Sequence, residues 1–98
     1  MAVLELRPNC ECCNVDLPPA ADAFICTYEC TFCRDCAQGI LAGYCPNCLG
    51  NLQPRPIRPL GGPAGGLNSH PASTKRVVRP GGCTETPDPS RASEIRSG

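Results

Sequence analysis

The segment CECCNVDLPPAADAFICTYECTFCRDCAQGILAGYCPNC, residues 10–48, holds nine of the ten cysteines in this 98-residue chain. The chain has two Phe, two Tyr and no Trp, so it can bury little large apolar surface. Chains with so thin a core are usually stabilised by disulfides or by bound metal ions. We therefore expect the cysteines of this segment to decide the fold.

The start of the chain bears on the choice between disulfides and metal. Residues 1–8, MAVLELRP, are too short and too charged for a secretion signal. No apolar run approaches the ~20 residues that a membrane span requires. Without export the thiols stay reduced, and clustered reduced thiols are typical metal ligands. The sequence therefore predicts a cytoplasmic metal-binding protein without membrane contact, and a disulfide scaffold is the alternative.

Eight of the cysteines form four close pairs, three of them Cys-x2-Cys and one Cys-x3-Cys. Zinc prefers four ligands in a tetrahedron, so four pairs predict two Zn²⁺ ions in closed four-thiolate sites. Such sites also suit iron, which stays open as an alternative. The predicted ligands are Cys10, Cys13, Cys33, Cys36, Cys26, Cys30, Cys45 and Cys48.

The pairs can combine in two ways. Crossed pairing joins the first pair with the third and the second with the fourth, whereas sequential pairing joins neighbouring pairs. Eight residues separate Cys36 from Cys45, and a short helix is predicted there. A helix holds its ends apart, which favours crossed pairing. Sequential pairing stays open.

The secondary structure is predicted to be sparse. A strand is expected at residues 3–6, and hairpin arms are expected at residues 23–25 and 31–32. A helix is expected over residues 34–42, with Gly43 at its end. The fold class is a small metal-stabilised α+β domain with a short hairpin, one short helix and an irregular tail. The predicted core is Leu4, Leu6, Leu17, Phe24, Ile25, Tyr28, Phe32, Ile40, Leu41 and Tyr44.

The chain divides by composition. Residues 1–53 are predicted to form a two-zinc cysteine-rich domain. Eight of the twelve prolines follow it, so the remainder cannot bury enough surface to fold alone. Residues 54–79 form a Pro/Gly-rich basic extension, in which residues 74–79 (TKRVVR) are expected to add a strand to the domain. Residues 80–98 are predicted to be a disordered tail.

The charges divide in the same way. Residues 1–53 carry six acidic and two basic side chains, and residues 54–98 carry seven basic and three acidic ones. Lys75, Arg76 and Arg79 form a basic patch without neighbouring aromatics, so contact with nucleic acid would be weak and sequence-blind. The preferred interpretation is that the extension folds back onto the acidic domain.

Three further side chains invite a functional reading. Cys12 could be a redox trigger, could replace Cys10 or Cys13 as ligand, or could be a packed or partly exposed small residue. Cys83 is predicted to be a free thiol. His70 could replace a cysteine ligand, but the eight paired cysteines already fill two sites. With no second His a Cys–His or Ser–His catalytic pair has little support, so we expect no enzyme.

The cysteine order resembles the cross-brace of RING fingers, with Cys30 where that family usually has His. This resemblance implies a RING-like, treble-clef fold. A second resemblance covers more of the chain and begins with the stretch Leu-Glu-Leu-Arg-Pro-Asn-Cys-Glu. Residues 4–13, 29–36, 45–48 and 71–77 resemble a family of short bacterial cysteine-rich proteins of unknown function. That resemblance implies a bacterial cytoplasmic protein and brings no established activity.

The RING resemblance also implies a ubiquitin-ligase-like adaptor, but the usual docking surface is not matched. Cys12 stands at an aliphatic position, the predicted helix lacks Trp, and Leu49-Gly50 stands at a basic position. The preferred prediction is a structural zinc-binding module that mediates interaction with another protein, in an oligomeric state left open. The alternative is a thiol-based redox or metal sensor. Nucleic-acid contact and the ligase-like adaptor are weaker alternatives.

Overall fold

The computed structural model describes residues 3–88 and residue 90. These residues form a small α+β fold with an antiparallel sheet in the strand order β2-β1-β3. Within this part of the chain the helices and strands are all short. They are β1 (Ala23–Ile25), β2 (Thr31–Cys33), α1 (Arg34–Gln38), β3 (Gln53–Pro54) and α2 (Gly66–Ser69).

Strands β1 and β2 form the predicted hairpin. Phe24 pairs with Phe32 across it, and cross-strand aromatic pairs stabilise antiparallel strands. The connecting loop is closed by a bond from the Cys26 N–H to the Cys30 carbonyl, at 3.3 Å. Glu29 in this loop has a left-handed φ of 68°. The hairpin is confirmed, and its loop carries the second cysteine pair.

Helix α1 is shorter than predicted. The Cys33 sulfur caps its first turn by accepting from the Cys36 N–H at 3.4 Å. The helix then ends at Gln38, and turns follow through residue 43. Ala42 and Gly43 have left-handed φ angles of 49° and 88°, which a right-handed helix cannot include. The predicted second half of the helix is therefore wrong.

The core lies between the hairpin, α1 and the cysteine-bearing loops. Of the predicted core, Leu6, Leu17, Phe32 and Leu41 are buried. The assignment of Tyr28 to the core is wrong, because Tyr28 lies in the hairpin loop and is 71% exposed. Ala37 and Leu52 were not predicted but are buried. The other predicted members are half-buried: Leu4, Phe24, Ile25, Ile40 and Tyr44.

Strand β3 begins the extension, and a buried cation, Arg55, follows it directly. The backbone N–H of Arg55 donates to Ala23 at 2.8 Å, next to the β1–β3 pairing. The Arg55 residue is only 4% exposed. Its guanidinium donates to the backbone carbonyls of Arg7, Leu17 and Pro18, and burial lowers its pKa. This contact joins the extension to the first residues of the domain.

The strands predicted at residues 3–6 and 74–79 are absent. Both segments pack instead through isolated hydrogen bonds, such as that from the Ser73 N–H to the Leu6 carbonyl at 3.0 Å. Single contacts of this kind position extended backbone without forming a ladder. Residues 74–79 therefore lie on the domain as irregular chain.

The basic side chains of the extension face acidic and carbonyl groups of the domain. Arg76 pairs with Asp16 at 2.5 Å, and the guanidinium of Arg58 donates to the Leu4 carbonyl at 2.6 Å. The extension thus lies back on the domain along residues 58–79.

The structure bears on the predicted tail, residues 80–98, and on the prediction that the chain has no membrane span. In the predicted tail, residues 80–88 and 90 are described, and residues 89 and 91–98 lie outside the described part. Gly82 donates its N–H to the Arg79 carbonyl at 2.9 Å. Among the described residues, no helix has both the length and the apolar character needed to cross a membrane.

Candidate metal centres

The first centre, site 1, consists of Cys10, Cys13, Cys33 and Cys36. Their four sulfurs all lie within 4.8 Å of one another, and the sulfurs of Cys13 and Cys33 are 3.7 Å apart. A tetrahedral ion with metal–sulfur bonds of ~2.3 Å needs sulfur–sulfur distances of roughly 3.8 Å. Site 1 can therefore hold one metal ion with small adjustments.

The Cys10–Cys13 turn directs backbone N–H groups at sulfur. The N–H groups of Cys12 and Cys13 lie 3.4 and 3.5 Å from the Cys10 sulfur. The Asn14 N–H donates to the Cys10 carbonyl, and the Cys10 N–H donates to the Val15 carbonyl, both at 2.9 Å. Asn14 has a left-handed φ of 63°. Such N–H donors stabilise a thiolate, as outer-shell groups of metal sites do.

The Cys45–Cys48 turn repeats this backbone pattern. The Asn47 N–H donates to the Cys45 sulfur at 3.4 Å, and the Leu49 N–H donates to the Cys45 carbonyl at 2.9 Å. The Cys45 N–H donates to the Gly50 carbonyl at 2.8 Å, and Leu49 has a left-handed φ of 64°. The same short sequence pattern therefore builds the same turn at both ends of the segment.

The second centre, site 2, brings together the sulfurs of Cys26, Cys45 and Cys48, again within 4.8 Å of one another. Cys30, the predicted fourth ligand, is buried beside them but falls outside this group. Its sulfur accepts from the side-chain amide of Asn47 at 3.4 Å. Site 2 can hold a metal ion with three sulfurs in place and the fourth adjacent.

The sulfurs thus group across the chain. Those of the first pair meet those of the third, and those of the fourth pair meet Cys26 of the second. Sequential pairing would require the first two pairs to meet. In the described residues no group of metal-ligating atoms combines them.

Comparison with known proteins places these cysteines in a family. A family model described as a protein of unknown function, DUF1272, matches residues 3–58. The chain belongs to this family. An uncharacterised protein of Rhizobium meliloti (strain 1021), R02474, is 58% identical over 82 residues, which cover 83% of this chain and 93% of that protein. No solved structure matches the chain. The expected family of unknown function is confirmed, and the DUF1272 match spans all eight paired cysteines.

Burial and backbone hydrogen bonds shift the pKa of five thiols in this DUF1272 chain. In Cys10, burial favours the neutral thiol, but hydrogen bonds from backbone N–H groups, including that of Cys13, outweigh it and lower the pKa. In the other shifted thiols burial is the largest cause and the pKa is raised, so they stay protonated at neutral pH unless a cation binds. These thiols are Cys30, Cys33, Cys36 and Cys45.

A buried carboxylate connects the two centres. Glu11, 3% exposed, lies within the Cys10–Cys13 turn. Its side chain accepts from Arg7 at 2.9 Å, from the Thr31 N–H at 3.1 Å and from the Asn47 amide at 3.2 Å. Asn47 lies within the Cys45–Cys48 turn. This link was not predicted, because the sequence marks it only by a polar residue inside each Cys-x2-Cys.

The two remaining cysteines are bonded to each other. Cys12 and Cys83 form a disulfide across 71 residues, with their Cα atoms 4.9 Å apart. The prediction of a free Cys83 thiol is therefore wrong. Both cysteines lie outside the two metal groups, as does His70, whose backbone N–H closes α2.

Proposed function

We propose that this DUF1272 protein is a structural module in which eight cysteines hold two Zn²⁺ ions in a crossed, RING-like arrangement, and that the module mediates contact with another protein. The observation that supports this best is the compact four-sulfur group of site 1. Its sulfurs accept from the backbone of turns that repeat in site 2. Cys30 completes site 2 by a small movement of its sulfur.

A structural role follows from the ligand chemistry. Four thiolates fill the tetrahedral coordination of zinc and leave no open position for a substrate or a water molecule. Sulfurs within 4.8 Å of one another enclose one ion more readily than a multi-iron cluster. We therefore propose one metal ion per site rather than an iron–sulfur cluster, with zinc as that ion because it prefers closed four-thiolate sites, and no enzymatic activity.

The surface of the described residues favours a protein partner. Arg76 and Arg79 of the basic patch bond to Asp16 and Asn47 of the domain, so they are engaged within the chain. Large apolar side chains are exposed among the described residues, including Tyr28 at 71% and Ile57 at 60%. A phosphate backbone would find few free cations here, whereas a protein surface could cover these apolar groups.

Metal analysis combined with native mass spectrometry tests the metal. Protein purified without added zinc should carry two zinc ions per chain, and exhaustive chelation of the reduced chain should unfold it, because binding and folding of such sites are coupled. The matched control is Cys83→Ser, which should keep both ions. A reduced, chelated chain that stays folded would contradict the proposal. Bound iron would show that the ion is iron and not zinc.

A pull-down with the zinc-loaded chain tests the partner. Direct, stoichiometric binding of one protein that chelation abolishes would support the interaction role. Tight, salt-dependent binding of nucleic acid without any protein would count against it.

The second candidate is a thiol-based redox sensor, which the nearness of Cys12 to site 1 favours. In that function peroxide oxidises the reduced Cys12 thiolate to a sulfenic acid, a ligand thiolate attacks this sulfur with loss of water, and the new disulfide removes that ligand from the ion. Mild peroxide should then release zinc, and Cys12→Ser should slow the release. An unchanged release from this variant would rule the sensor out.

A further inference from the structure

We infer that Cys12 and Cys83 form a reversible disulfide latch, which fastens the extension across both metal-binding turns and slows the loss of metal. This inference rests on the proposed metal binding. It concerns Cys12 and Cys83, the two cysteines that belong to none of the four close pairs and lie outside both metal groups. Their Cα separation of 4.9 Å lies in the range at which disulfides form.

The chain around Cys83 is shaped for a close approach to Cys12. A Cβ atom added to Gly82 would lie 2.9 Å from the Cys12 carbonyl oxygen, closer than such atoms pack. Gly81 and Gly82 also have left-handed φ angles of 75° and 74°, which favour glycine. The bond from the Gly82 N–H to the Arg79 carbonyl closes the turn. Two glycines therefore let the extension bring Cys83 onto the Cys10–Cys13 turn.

Arg79 is the residue through which the latch acts on both sites. Its backbone N–H donates to the Glu11 carbonyl at 2.9 Å, inside the Cys10–Cys13 turn. Its guanidinium donates to the side-chain oxygen of Asn47, inside the Cys45–Cys48 turn. Only three residues separate Arg79 from Cys83. The disulfide at Cys83 therefore holds Arg79 close to both turns, which raises the effective concentration of Arg79 at its two acceptors.

The latch forms by a balanced two-electron step. A hydroperoxide oxidises one thiolate to a sulfenic acid as its O–O bond breaks, and hydrogen peroxide leaves one molecule of water. The second thiol then attacks the sulfenic sulfur, the S–S bond forms, and a second water carries away the hydroxyl oxygen. A dithiol reverses the step through a mixed disulfide and is itself oxidised to a disulfide. The paired cysteines keep their metal throughout.

The rate of zinc transfer from the loaded full-length chain to a coloured chelator tests the latch. After treatment with one equivalent of hydrogen peroxide, release should be about tenfold slower than from the chain kept reduced by a phosphine, the scale of outer-shell effects on metal sites. The matched variants Cys12→Ser and Cys83→Ser should release zinc at the reduced rate with or without peroxide. Each should still load two ions.

A third variant separates the latch from a bystander disulfide. Arg79→Ala should still form the Cys12–Cys83 bond, seen by mass spectrometry of the digested chain, but should lose the slow release. An unchanged release rate after the bond has formed would overturn the latch and leave the proposed zinc binding intact. Faster release that requires Cys12 would overturn it in favour of the redox sensor. A chain that never binds zinc fails the proposed function itself.

Discussion

The two centres use the same kind of turn but differ in completeness. Site 1 gathers all four sulfurs of two pairs within 4.8 Å, whereas site 2 gathers three and leaves Cys30 hydrogen-bonded to Asn47. Site 1 takes Cys33 and Cys36 from the start of a helix, and site 2 takes Cys26 from the end of a strand. The loop of residues 26–30 has one residue more between its cysteines than the other pairs have. A wider pair at a hairpin end therefore places its second sulfur less tightly than a Cys-x2-Cys turn does.

Ligand removal should show the largest difference between the centres. Cys45→Ser should leave one ion per chain in native mass spectrometry, because site 2 then keeps only two of the sulfurs that lie in place. The lost ion carries about 10 kcal/mol or more of binding free energy that is coupled to folding. Cys36→Ser should keep two ions, with that of site 1 bound more weakly, because site 1 retains three sulfurs. Equal losses in the two variants would show that the centres are equally complete.

Acid should remove both ions, and that of site 2 first. Burial raises the pKa of Cys36 in site 1 and of Cys45 in site 2, so these thiols carry protons at neutral pH until the ion displaces them. Metal affinity should therefore fall as pH falls, with roughly four protons released per ion bound. The lowered pKa of Cys10 weakens proton competition in site 1.

Calorimetry in buffers of different ionisation enthalpy measures the proton count, and native mass spectrometry across pH 7 to 5 gives the order of loss. An affinity that does not change with pH would contradict thiolate ligation. If site 1 loses its ion first, site 1 binds its ion more weakly than site 2, which would contradict this prediction.

The amide of Asn47 should support site 2 more than site 1. Asn47→Ala removes the donor to the Cys30 sulfur, at 3.4 Å, and the donor to Glu11, at 3.2 Å. We expect the affinity of site 2 to fall about 10- to 100-fold, as for other outer-shell partners of metal ligands. Competition with a chelator of known affinity measures it. The control Asn51→Ala changes an exposed residue and should have no effect; a similar drop in both variants would exclude a specific role for Asn47.

The smallest effect concerns the residue after each Cys-x2-Cys turn. Leu49 and Asn14 both have left-handed φ angles, 64° and 63°, but only Asn tolerates that region well. Leu49→Gly should raise the free energy of unfolding by about 0.5–1 kcal/mol. Asn14→Gly should lower it, because the Asn14 side chain bonds to Asn9 and Arg76. Denaturant unfolding of the zinc-loaded variants measures both changes. Equal shifts of the unfolding midpoint in the two variants would show that the two turns do not differ in strain.

Local patterns in the sequence predicted what lies close along the chain. The hairpin arms were predicted at residues 23–25 and 31–32, and the four pairs followed from the spacing of their cysteines. Seven of the eight cysteines predicted as ligands lie in the two metal groups. The short helix was overestimated, because the left-handed conformation of Ala42 is set by the turn that follows and not by helix propensity.

Contacts between distant residues could not be predicted in this way. The Cys12–Cys83 bond closes a loop of 71 residues, and nothing around Cys83 except its two preceding glycines marks it. Tyr28 was assigned to the core by its size, but its place between Cys26 and Cys30 turns it to solvent. Arg55 is charged, yet it is buried, because three carbonyls converge on its guanidinium.

The buried Arg55 has a consequence for where this protein can be shortened. A fragment that stopped at residue 53, the end of the cysteine-rich half by composition, would leave the carbonyls of Arg7, Leu17 and Pro18 without their donor and β1 without its second neighbour. Buried acceptors without donors cost about 1–3 kcal/mol each. The smallest autonomous unit must therefore reach past Arg55, which agrees with a family match that ends at residue 58.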